Sequence, residues 1–259
     1  MIGLYNKNKI REILPLITRS AYLGSVIIML ILLTISVVEY TVAFEVFNFD
    51  NMKVVGNETV SSEELFRLSG LKFGENLFDI DIQRAAERIE ANPFIKRVQI
   101  SRDLPNSVAM RVFERKPFVF IAQGSFYTAD ESGHLLPSRS HKNFDLPIIT
   151  GIDDLSLPFI GDRVDDLRFS KALDVAKMLN IEPYSLYNSI SEINIGPRGD
   201  VSLIGTLKGT KIFLGKSGYE NKINRIRSLL STIRRGEGLS GYQYMDLRFK
   251  NQVIVKERS

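Results

Sequence analysis

Residues Ser20 to Val38 read SAYLGSVIIMLILLTISVV, nineteen positions without a charge, flanked by Arg19 and Glu39. At about 1.5 Å per residue, a helix of this length spans roughly the 30 Å hydrocarbon core of a bilayer. Three readings compete for it. A buried core helix rarely lacks charge for so long. A cleaved signal peptide has a shorter apolar region, about 7–15 residues, ending in a small-residue cleavage site. Ser36-Val37-Val38 is a poor match to such a site. A retained membrane anchor fits the run best.

The flanks orient the anchor. Residues 1–19 carry Lys7, Lys9, Arg11 and Arg19 against Glu12, while residues 39–52 carry Glu39, Glu45 and Asp50 with no Lys or Arg. Positive charge concentrates on the cytoplasmic side, so the N-terminus is expected in the cytoplasm and everything from about residue 40 across the membrane. ATP and NAD chemistry are not expected there.

Beyond the anchor the sequence has no second membrane span and falls into two blocks. In the first, MKVVGN reads as a strand closed by the turn pair Gly56-Asn57. SSEELFRLSG reads as a helix, with Ser61 and Glu64 at capping-box spacing and Gly70 as its stop. A second helix places Ile82, Ala85, Ala86 and Ile89 on one face, is capped by Asp81, and ends at Asn92-Pro93. Two strands follow, with Ile95, Val98 and Ile100 in the first and Val108, Met110 and Val112 facing inward in the second. The order is strand, helix, helix, strand, strand, a two-layer arrangement.

The second block begins with FVFIAQ, a short second strand, a turn at Gly133 and the strand LPIITG. A helix follows with Phe169, Ala172, Leu173, Ala176 and Leu179 on one face, with Asp165 at the capping position. SEINIG, DVSLIGT and TKIFLG are three strands. A later helix carries Ile223, Ile226, Leu230 and Ile233 on one side. YQYMDLRF and QVIVKE close the block, an α+β domain with a mostly antiparallel sheet and two helices. Lys250-Asn251 reads as a two-residue hairpin turn between these last strands, because Asn tolerates positive φ. QVIVKE is then an exposed edge, guarded when free by Lys256, Glu257 and Arg258.

Composition narrows the chemistry. The chain has no cysteine and only two histidines, His134 and His141, so thiolate and His-rich metal sites are excluded. No catalytic set can be placed. The pairs Asp79/Asp81, Asp153/Asp154 and Asp165/Asp166 show no convergence and read as caps and turns. FLGKSG resembles the end of a phosphate loop, but the Gly required five positions before Gly215 is Thr210. It reads as a tight turn feeding a helix. Lys216, Lys222, Arg225, Arg227, Arg234 and Arg235 make that helix basic, without the interleaved aromatics a nucleic-acid site uses. A solvated helix face is the plainer reading, with anionic lipid as the alternative.

ANPFIKRVQISRDLPNSVAMRVFERKPF, with VVGNETVSSEEL and GENLFDID before it and DESGHLLP, LPIITG and YMDLRF after it, resembles the FtsQ (DivIB) family of bacterial division proteins. The likeness covers nearly the whole chain. Asn92, Pro93, Lys96, Arg97, Arg102, Pro105, Asn106, Glu114, Arg115 and Pro117 stand where the family pattern places them. One departure is the absence of Trp, with Phe94 and Phe120 at positions where relatives often carry it.

The resemblance implies a cytoplasmic tail over 1–19, a membrane helix over 20–38, a linker over 39–46, a POTRA-type β-α-α-β-β module over 47–117 and a C-terminal β domain over 118–259. It further implies a non-enzymatic scaffold of the inner membrane and division septum. Such a scaffold links early and late division proteins, without cofactor, nucleic acid or small-molecule substrate. The expected partners are an FtsB–FtsL pair, added as a strand at the C-terminal edge, and other division proteins met through the POTRA module and membrane helix. The expected contact residues are Phe249, Val253, Ile254 and Val255. The alternative from another class is a POTRA-bearing protein of outer-membrane assembly or secretion, against which the short remaining chain argues.

Overall fold

The computed structural model describes residues 5–43, 45–137, 145–183, 185–232 and 238–258. His141, Ile233, Arg234 and Arg235 lie outside the described residues. The architecture is α+β. Helix α1 runs over Tyr5–Ala43. Within it Thr18–Tyr40 is long and apolar enough to cross a membrane, and none of its apolar window is buried among the described residues.

The next elements are β1 (Asn51–Val55), α2 (Ser62–Ser69), α3 (Ile82–Glu90), β2 (Ile95–Asp103) and β3 (Ser107–Glu114). Their strands form a sheet of order β1-β3-β2, so the order read from the sequence is the order observed. β3 alternates as expected, with Val108, Met110 and Val112 buried. In β2 the alternation breaks. Ile95 and Val98, three apart, are both buried, and the Val98 N–H donates to the Glu90 carboxylate at 2.8 Å.

Half of the capping box at α2 forms. The Glu64 N–H donates to Ser61 Oγ at 3.2 Å, but the Glu64 carboxylate is taken by Arg67 Nε and Nη2 rather than returning to the cap. The ion pair is available one turn on, and it competes directly with the second half of the box. Gly70 has φ +70°, the left-handed stop that the sequence predicts.

By compactness the chain divides into two units, Met1–Val54 with Gly70–Gln83 and Ile100–Met110, and Val55–Ser69 with Arg84–Gln99 and Arg111–Ser259. The second unit holds a nine-stranded sheet. Its strands are β4 (Pro117–Gln123), β5 (Ser125–Asp130), β6 (Leu135–Leu136), β7 (Ile148–Thr150), β8 (Ile190–Ile195), β9 (Val201–Gly205), β10 (Lys211–Gly215), β11 (Tyr242–Asp246) and β12 (Ile254–Glu257). They lie in the order β12-β11-β10-β9-β8-β7-β4-β5-β6. Most neighbours are antiparallel. The pairs β10–β11, β4–β7 and β7–β8 are parallel; a helix makes the crossover from β7 to β8 and from β10 to β11, while β5 and β6 lie between β4 and β7 in the chain.

Helices α4 (Leu167–Leu179) and α5 (Tyr219–Thr232) contribute to one core with this sheet. Phe169, Ala172, Leu173, Ala176 and Leu179 are all buried, as their spacing predicts, and Ile223 and Ile226 join them. The cap of α4 differs from the sequence reading by one residue. Asp166, not Asp165, has extended backbone and accepts from Arg168 N and Phe169 N at 2.7 and 3.0 Å. Adjacent carboxylates are equivalent in a sequence; only the residue that leaves the helical backbone can reach those amides.

Candidate partner-binding site

The two ends of the nine-stranded sheet are finished differently. At the β6 end both leucines are buried. The Leu135 N–H donates to Asp162 O and the Gly161 N–H to Leu135 O, so a loop already occupies that backbone. At the other end β12 closes the strand order with all four residues exposed. Its apolar pair Ile254 and Val255 is 41% and 37% exposed. β12 pairs antiparallel with β11, Asp246 opposite Ile254 and Met245 opposite Val255. A strand that offers one row of N–H and C=O groups with apolar side chains is a template for another strand.

The four residues singled out in the sequence do not form one row. Ile254 and Val255 lie on β12. Val253 precedes it and packs, half-buried, against the domain core. Phe249 is 50% exposed and belongs to the connection, where it lines a groove with Lys222, Arg225, Arg248, Lys250 and Asn251.

The two-residue hairpin is not what joins β11 to β12. The connection runs over 247–253. Leu247 is buried and its N–H donates to Phe213 O, so the chain stays on β10 beyond Asp246. Arg248 then folds back on Asp246, its N–H at 3.0 Å and its Nε at 2.9 Å from the carboxylate. Asn251 does take the positive φ, +59°, and its Oδ1 accepts from Arg225 at 2.9 Å. The residue identified as a turn former is correct, within a longer loop.

Arg258 does not guard the open edge. Its backbone N–H and its Nε donate to Gly241 O and Tyr242 O, and its Nη2 to Lys208 O, tying down the end of the strand. Beside it, Lys211, Phe213, Gln243, Tyr244 and Lys256 line a second groove. The sequence reading missed these because it followed the core-facing parity of YQYMDLRF. The opposite parity, Tyr244 beside Lys211 of β10 and Lys256 of β12, carries the surface, and Gln243 joins it where the β11–β12 register shifts between Tyr242 and Tyr244.

Two cations of the basic helix, Lys222 and Arg227, are spent on carbonyls of the fold, and Arg225 on Asn251 at the surface. Lys222 Nζ donates to Leu214 O and Ser217 O at 2.6 and 2.8 Å, and Arg227 Nη2 to Met178 O at 2.5 Å. Burial, helped by the nearby Arg225 charge, lowers the Lys222 pKa. The FLGKSG turn thus presents carbonyls to a lysine, opposite in sense to a phosphate cradle. Arg248 in turn holds the Asp246 carboxyl below the usual carboxylate range. Among the described residues no cluster of His, Asp and Glu is arranged to hold a metal ion.

Residues 47–115 match the family model of the FtsQ-type POTRA domain, and residues 116–256 that of the FtsQ/DivIB C-terminal related domain. The chain belongs to the FtsQ/DivIB family of cell division proteins. It is 28% identical over 216 residues to the cell division protein FtsQ of Syntrophotalea carbinolica, covering 83% of this chain and 75% of that one. It is 31% identical over 212 residues to the cell division protein DivIB of Clostridium acetobutylicum, covering 80% and 82%. With DivIB of Bacillus subtilis it shares 29% over 148 residues, 56% of this chain and 51% of the relative. Both FtsQ/DivIB domain types are therefore present, in series after the apolar helix.

Proposed function

We propose that this FtsQ/DivIB chain is a non-enzymatic scaffold of the division machinery. In this reading a single helix anchors it in the inner membrane, with a cytoplasmic N-terminus and the bulk of the chain outside the cytoplasm, at the septum. The domains are the tail 1–19, the anchor 20–38, the linker 39–46, the POTRA module 47–117 and the β domain 118–259. The partner bound at the β domain is of the FtsB–FtsL type, and it adds a strand alongside β12.

The observation that carries the reading is the contrast between the two sheet ends. One is sealed by its own loop, and the other ends in four exposed residues including Ile254 and Val255. Backbone hydrogen bonds supply affinity in such an addition, and alternate side chains supply specificity. Phe249 and the groove beside it extend the contact past the strand end, and Val253 supports the strand from the core side. The edge of β2, by comparison, has its Val98 N–H taken by Glu90 and carries Lys96 and Arg97, charges of the kind that discourage pairing.

The outer-membrane assembly alternative loses to the family match, since the matched domains are those of division proteins. The strand-addition reading is tested with proline. In an antiparallel edge strand alternate N–H groups point inward and outward. One of Ile254→Pro and Val255→Pro therefore removes an outward donor while sparing the β11 ladder. That variant should fold as the parent does and lose the FtsB–FtsL-type partner in a pull-down from membranes. Full binding by both folded proline variants would exclude strand addition at β12.

A further inference from the structure

Two largely exposed aromatic rings pack on the segment just past the membrane helix. Phe73 is 59% and Phe78 57% exposed. They are not on a loose loop. The Phe49 N–H donates to Glu75 O, Gly74 N–H to Phe49 O and Leu77 N–H to Phe47 O. Arg102 holds the other side, donating to Leu77 O at 2.5 Å and Ile80 O at 2.8 Å. Phe78 packs edge-on against Phe47 with centroids 5.3 Å apart, and Phe73 stacks on Phe49 at 5.0 Å. Both exposed rings are thereby fixed to residues 47–49.

Those residues follow the anchor closely. Helix α1 ends at Ala43 and Tyr40 closes its apolar stretch. Three residues, 44–46, separate Ala43 from Phe47, so four chain steps span at most about 14 Å. The polar zone on each side of a bilayer's hydrocarbon core is roughly 5–8 Å deep. Tyr and Trp favour that zone, and Phe is among the side chains that surface-bound segments bury at its boundary with the acyl chains. Tyr22 and Tyr40, both exposed, sit near the two ends of the apolar stretch in the same manner.

We propose that Phe73 and Phe78 seat this juxtamembrane platform on the surface of the membrane that α1 crosses. The occupant of the aromatic surface is the lipid headgroup–acyl boundary. Attraction is apolar, because Glu45, Asp50, Glu75 and Asp79 outnumber Lys53 and Lys72 along this stretch. Anionic lipid should therefore add nothing. The seat fixes the height and orientation of the platform above the bilayer, where a bare tether would leave it free.

The chain contains no Trp, so a single indole reports cleanly. Full-length F73W and F78W are reconstituted in vesicles of phosphatidylcholine, alone or with phosphatidylglycerol, with or without brominated acyl chains. Emission from both should shift to shorter wavelength and be quenched by the brominated lipid in phosphatidylcholine alone. The two probes stack on different rings, so a local disturbance of one leaves the other informative. Solvent-like, unquenched emission from both would overturn the proposal, as would quenching that needs phosphatidylglycerol. The inference rests on α1 as a membrane anchor. Failure of that reading shows separately, as chains that do not float with the vesicles.

Discussion

Asp130 shows how one side chain joins segments far apart in sequence. Its carboxylate accepts from Arg115 Nη1 at 2.8 Å, from Ser132 N at 2.8 Å and from His134 N at 2.9 Å, while both ionic side chains are largely buried. Burial pushes its pKa up, but the His134 N–H and the Arg115 guanidinium outweigh this and hold it below the ordinary range. A depressed carboxyl pKa stabilises the fold above the unfolded value of about 3.9 and stops doing so as pH falls through the folded value. Asp130→Asn should lower stability at pH 7 by about 3–5 kcal/mol, because Arg115 is left buried without its counter-charge. Denaturant melts across pH 2–7 should show the parent losing stability below about pH 4 and the variant losing less. Equal slopes would assign the acid sensitivity elsewhere. DESGHLLP was legible as a turn, but the partner at Arg115 was not, since nothing in local spacing shows which charges meet. The same limit explains Asp165 and Asp166, identical in chemistry and separated only by backbone conformation.

At the scale of elements, periodicity carried most of the information. The inward faces of β3, α4 and α5 follow from apolar spacing alone because burial of a face is the force that forms them. Asp166→Ala should cost about 1 kcal/mol by thermal melting, through loss of the α4 cap. The same change at Asp165, which does not cap, should cost clearly less. Turns were less legible. The Lys250-Asn251 pair has the right residue for a tight turn, yet Leu247 follows β10 and Arg248 binds Asp246, so the turn is postponed. These are tertiary contacts, and they moved Phe249 and Val253 off the row that simple alternation drew. Ile254 and Val255 stayed on the edge because the strand itself was read correctly.

For the whole molecule, the apolar run, the series of two domain types and the α+β architecture were all readable from the sequence, each resting on long patterns rather than single contacts. The partner surface was readable only as a strand at an edge. That β12 is the open end follows from the strand order and from the loop that seals β6, neither of which local sequence encodes. The central claim is that β12 receives a strand from an FtsB–FtsL-type partner. Amide hydrogen exchange on the full-length protein in bilayers, with and without that partner, tests it most directly. The account predicts slowed exchange on binding at the outward amides of Ile254–Glu257, with the β6 edge unchanged. Unaltered exchange across 254–257 in a saturated complex would contradict it.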